Sequence, residues 1–201
     1  MISWLSQKLA DLFVSSGAVP AEDRDVYVYG LDVLISTAAS VLCVLVIGIL
    51  AGRLPVTLLF LACFIALRSV AGGFHASTHF RCFLIMLGAY GAALLPVFFL
   101  TEGLLGRAAL PMVAVSLAVV IALAPAPHDN RPVTPAKLKR FRVLSLWLAG
   151  GEVAAAAACV ALSLNIPAYA VAAGMFTAAA SLCAAHAQAR GARKPESALR
   201  L

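Results

Sequence analysis

The run VTLLFLACFIALRSVAGGFHASTHFRCFLIMLGAYGAALL, Val56 to Leu95, decides the fold. Two apolar stretches flank a polar insert, Arg68 to Cys82, which holds two arginines, two histidines, a glycine pair and a cysteine. About 20 mostly apolar residues are what a helix needs to cross a bilayer. Ionisable side chains beside a bilayer core are expensive, so a cluster of them there points to function. The first stretch is short. Its uninterrupted part, Val56–Leu67, stops at Arg68, which predicts a tilted or partly inserted helix leading into a broken region. Irregular backbone at membrane depth is tolerated only where protein buries it or it lines a wet cavity.

The rest of the chain repeats the apolar pattern. Its 201 residues are 63% hydrophobic and 12% charged, with mean hydropathy +0.98, whereas soluble domains carry about 25% charged residues. The expected architecture is all-α: a single integral membrane domain over 1–201 with about six transmembrane helices. The spans run near Leu31–Ala51, Pro55–Ala71, Phe83–Leu100, Ala108–Ala126, Val143–Leu164 and Ile166–His186. Met1 to Asp25 has no continuous apolar core, so a cleavable signal peptide is not expected. Trp4, Leu5, Lys8, Leu9, Leu12 and Phe13 fall at helical spacing within the N-terminal segment 1–30. They predict a short amphipathic helix, either lying in the membrane interface or packed on the bundle.

Lysine and arginine counts orient the chain. With the N-terminus inside, thirteen of the fifteen basic residues lie on the inner side, and the outer loops hold only Arg53 and Arg107. This places both termini, the tail 187–201 and the Arg68–Cys82 segment at the cytoplasmic face. Of the five cysteines, Cys43, Cys63, Cys159 and Cys183 lie in apolar runs, where a thiol behaves as a small hydrophobe. Only Cys82 has polar and charged neighbours.

A cysteine beside histidine and arginine is the setting in which a thiol becomes a nucleophilic thiolate. His75 and Cys82 are seven residues apart, or about 10.5 Å along a straight helix. A dyad therefore requires a break in the backbone between them. Gly72-Gly73 supplies backbone freedom or room for a close approach, and Ser77 and Thr78 favour a cap or turn. In such a dyad His75 takes the thiol proton, and Arg68 and Arg81 favour the thiolate or hold a substrate carboxylate. Arg68 and Arg81 also have a plainer reading as snorkelling anchors. A metal site competes: His75, His79 and Cys82 have the spacing H-x3-H-x2-C, three zinc ligands on one helix face. The glycine pair and the lack of an acidic general base argue against it. Glu152, inside the fifth span, needs a partner or water: it pairs with Arg68, orients His75, or is protonated and inert, and Gly150-Gly151 would let another helix approach.

Arg68, Gly72-Gly73, His75-Ala76 and Cys82 resemble the R-x3-GG-x-HA-x5-C signature of the accessory gene regulator B family, bacterial membrane cysteine endopeptidases of peptide quorum sensing. Tyr29-Gly30-Leu31, the Ala124–Pro132 stretch with its following basic run, the chain length and the span arrangement are similar as well. The resemblance implies that His75 and Cys82 are catalytic. It implies cleavage of a precursor signal peptide on its C-terminal side through a thioester, resolved by a thiol or hydroxyl of the peptide to give a thiolactone or lactone. The implied location is the bacterial cytoplasmic membrane. The expected partners are the bilayer and a precursor peptide with an acidic tail, which the basic residues Lys137 to Arg142 and Arg190 to Lys194 would suit. A homodimer is allowed; no nucleic acid, metal or other cofactor is expected. The alanine-rich fifth and sixth spans depart from the family's pattern. Two other functions compete, a small transporter with Arg68 and Glu152 lining its path and a non-catalytic docking protein for a peptide.

Overall fold

A computed structural model describes residues 2–74, 78–126 and 134–198. It is helical, with no strand among the described residues. The helices are α1 (Ile2–Ser15), α2 (Arg24–Leu50), α3 (Leu54–Ala71), α4 (His79–Leu94), α5 (Pro96–Phe99), α6 (Glu102–Leu123), α7 (Pro135–Ala161) and α8 (Asn165–Ala198). Six segments are long and apolar enough to cross a membrane: α2, α3, α4 with α5, α6, α7 and the first part of α8. The six expected spans each fall on one of them. Helices α2 and α7 start well before the apolar runs do, at Arg24 and Pro135. Hydropathy marks contact with lipid, whereas a helix continues for as long as its backbone bonds do.

Local signals set the boundaries. Prolines open α3, α5 and α7, where a missing N–H costs nothing. Glu102 lies in the first turn of α6, where the helix dipole favours an acid. The second span is a complete 18-residue helix, and it breaks only after Ala71.

Helix α8 is the hub, packed against α3, α6 and α7. Ala168, Ala170, Ala172, Ala173, Ala178 and Ala179 are buried along it. In a lipid environment helices gain little from hiding apolar surface from one another, so small residues that allow close packing decide their contacts. Gly174 is the tightest case: a Cβ there would lie 2.6 Å from the carbonyl oxygen of Phe60 on α3. The alanines of the sixth span thus form the centre of the bundle, whereas Ala154, Ala155, Ala157 and Ala158 of the fifth are exposed. Helix α2 sits further out, against α3 and α4. There the hydroxyls of Thr57 and Tyr90 share a buried hydrogen bond of 2.6 Å, and Gly48 leaves space for Thr57.

Helix α1 packs on α2 through its small side, with Ser6 and Ala10 fully buried. The Ser6 hydroxyl donates to the Asp32 carboxylate at 2.7 Å, and Arg24 pairs with Asp11 at 2.7 Å. The hydrogen bond from Arg24 holds the Asp11 carboxyl below its usual range. Trp4 and Leu12, each 59% exposed, point away from α2. Packing on the bundle, one of the two expected arrangements, is therefore formed, and it leaves the large apolar side chains outward.

Candidate active site

The site is built where α3 ends. Gly72 caps that helix at φ 76°, ψ −163°, a region essentially closed to residues with a Cβ. Its N–H donates to the Arg68 carbonyl at 3.0 Å. Gly73 is required for a different reason. It is buried, and a Cβ on it would lie 2.6 Å from both Arg68 Nη1 and Ser181 Oγ. The two glycines thus divide the work, one turning the chain and the other admitting the guanidinium.

Arg68 extends from the last turn of α3 and fastens the segment. Its Nη1 donates to the Ser181 hydroxyl on α8, and its Nη2 donates to the Phe74 carbonyl at 2.5 Å. The guanidinium also lies over the Phe64 ring, 5.7 Å from its centroid. The Phe74 N–H points to Ser181, 3.0 Å from the hydroxyl and 3.0 Å from the carbonyl. A third element joins from the other side: the Ala126 N–H, just past the end of α6, donates to the Ala71 carbonyl at 2.8 Å. The Ala71 carbonyl and both polar groups of the Phe74 backbone are therefore answered by protein, as irregular backbone near a bilayer requires.

The chain becomes helical again at His79. Thr78 is the N-cap, its hydroxyl accepting from the Arg81 N–H at 3.3 Å. The Cys82 N–H closes the first turn onto the Thr78 carbonyl at 3.1 Å. Cys82 thus sits half-buried in the opening turn of α4, where the dipole and free N–H groups favour negative charge. It lies within electrostatic range of the Arg68 guanidinium. Arg81 is exposed in the same turn.

Arg68, Gly72, Gly73 and Cys82 are therefore gathered at one end of the bundle, and Gly72 to Cys82 is not one continuous helix. His75 lies outside the described residues, as does the side chain of His79, so the dyad and the H-x3-H-x2-C spacing both fall on positions not described. Sequence reasoning missed Ser181. Its signal was a hydroxyl in an alanine run, Ala178-Ala179-Ala180-Ser181, on a span with few other polar groups.

Of the partners considered for Glu152, His75 lies outside the described residues and Arg68 is not one: its Nη1 and Nη2 donate to Ser181 and Phe74 instead. Glu152 is buried at 8% exposure, and neither carboxyl oxygen has a hydrogen-bond partner among the described residues. A Cβ on Gly150 or Gly151 would meet nothing within 4 Å, so no helix uses that gap among the described residues.

Fold and site define a polytopic membrane protein with a cysteine in a helix N-terminus and a hydrogen-bonded, part-buried arginine at the end of a neighbouring span. The family model for accessory gene regulator B matches residues 6–182. The chain belongs to that family, membrane proteins of accessory gene regulator peptide processing. Comparison with curated proteins and with solved structures finds no match.

Proposed function

We propose that this chain is a membrane cysteine endopeptidase that cleaves a precursor signal peptide on its C-terminal side and promotes its cyclisation. The observation that carries the reading is Cys82 in the first turn of α4, within electrostatic range of Arg68, in a chain of the accessory gene regulator B family.

In this reading His75 takes the Cys82 proton. The thiolate attacks the scissile carbonyl, the C–N bond breaks, and His75 returns the proton to the leaving amine. Cys82 then holds the N-terminal fragment as a thioester. A thiol or hydroxyl within that fragment attacks the thioester carbonyl, forms the thiolactone or lactone and releases the Cys82 thiol. An internal nucleophile outcompetes water through its effective concentration. Arg68 and Arg81 favour the thiolate, and Gly72 and Gly73 shape the backbone that carries the histidine. The segment faces the cytoplasm, with both termini on that side. Exposed basic residues at the start of α7 (Lys137, Lys139 and Arg140) receive the acidic tail of the precursor.

Co-expression with a short precursor bearing a central cysteine or serine and an acidic tail tests the reading. Cys82→Ala and His75→Ala should each leave the precursor full length, while His79→Ala is milder. Processing that survives Cys82→Ala ends the proposal. Neutralising Lys137, Lys139 and Arg140 together should slow cleavage; an unchanged rate with insertion intact removes the tail contact alone.

A further inference from the structure

Arg68 and the Gly72–Phe74 backbone come from one stretch of chain, yet what holds them is on another helix. Ser181 of α8 accepts from Arg68 Nη1 and also lies 3.0 Å from the Phe74 N–H. Arg68 in turn reaches the Phe74 carbonyl. The three residues close a ring of hydrogen bonds in which one hydroxyl serves both a side chain and a peptide. The next residue in the chain is His75, and the guanidinium lies within electrostatic range of Cys82. Gly73 is buried against the same two polar atoms, where a Cβ would lie 2.6 Å from each.

We propose that Ser181 is a positioning residue for the reaction: it fixes the Arg68 guanidinium at the end of α3 and the peptide from which His75 follows. It acts through Arg68 and Phe74 and need not touch substrate. Without its hydroxyl, Arg68 keeps its charge and loses its bearing, because a long side chain with one acceptor left has many rotamers. The inference rests on the proposed thiol chemistry of Cys82.

The test reads the thiol itself and needs no precursor. The full-length protein, with Cys43, Cys63, Cys159 and Cys183 replaced by alanine, is reconstituted in lipid and alkylated with iodoacetamide between pH 5.5 and 9.5. A free thiol has a pKa of about 8.5 and loses about tenfold in rate per pH unit below it. The parent should keep reacting near pH 6. Ser181→Ala should lose about tenfold there, with the rate at pH 9.5 unchanged, and Ser181→Thr, which keeps the hydroxyl, should follow the parent. An unaltered profile in Ser181→Ala overturns the proposal, and so does an equal loss at every pH, which reports access alone. His75→Ala separates the two ideas. If it shifts the profile and Ser181→Ala does not, the dyad stands and the positioning role falls. If Ser181→Ala shifts it and His75→Ala does not, Ser181 acts on Arg68 and the dyad falls. Should Ser181→Ala fail to insert, Arg68→Lys decides: it keeps the charge but loses the planar fork whose two nitrogens meet Ser181 and Phe74 separately, and it should show the same loss at pH 6.

Discussion

Arg68 and Glu152 are both ionisable groups on spanning helices, and the fold treats them in opposite ways. Arg68 lies at the end of its helix, where the chain breaks and a hydroxyl and a carbonyl meet its donors. Glu152 lies inside α7, between apolar neighbours, with neither oxygen bonded among the described residues. Burial of a polar group is costly unless its hydrogen bonds are replaced. The Arg68 region has replaced them by giving up regular helix and spending two glycines. The Glu152 region has kept regular helix and replaced none. A membrane protein thus affords an oriented charge where its backbone is irregular, since only there are spare carbonyls and N–H groups at hand.

Four substitutions test that contrast. The largest effect is expected for Arg68→Ala, which leaves the Phe74 carbonyl without its donor and the Ser181 hydroxyl with only the Phe74 N–H. At about 1–3 kcal/mol for a polar group left unsatisfied away from water, with the loss of the guanidinium's packing on Phe64 added, thermal unfolding in detergent should drop clearly; an unchanged midpoint would mean that the ring contributes nothing to stability. Next comes Gly72→Ala, whose φ of 76° should cost about 1–3 kcal/mol, read by the same melt. Glu152→Leu should move the other way. Removing an unpartnered buried carboxyl should raise stability by about 1 kcal/mol without changing Cys82 alkylation, and a fall would reveal a partner for the acid. The smallest effect belongs to Gly151→Ala. A methyl there meets open space, so helix propensity alone should add up to about 1 kcal/mol. A loss instead would point to a second copy docked on that face of α7.

The spans were legible because lipid imposes one rule on every residue along a helix, and six apolar runs are hard to read otherwise. The break after Ala71 was legible too, since two glycines beside an arginine cannot continue such a run cheaply. What the pattern concealed was pairing between distant parts of the chain. Arg68 and Glu152 looked like complementary charges, but nothing in a sequence fixes the rotation of α7 relative to α3. Ser181 went unnoticed because a single hydroxyl on a helix commonly bonds back to its own backbone, as Ser116 and Ser145 do here. The alanine-rich sixth span read as a departure from family habit, and only packing made it the hub. Gly150-Gly151 read as a contact and faces open space.

One consequence of the α3–α8 packing reaches beyond the site. Gly174 meets Phe60, and seven residues later Ser181 meets Arg68. Both helices advance toward the same end of the bundle, so these are two fastenings on one seam, about 10.5 Å apart at 1.5 Å per residue. A single fastening would act as a pivot; a pair resists both swivelling and sliding. The chemistry at the tip of the bundle therefore depends on a glycine two turns deeper, and a bulkier residue at position 174 would reach the thiol by tilting the beam on which its support is mounted.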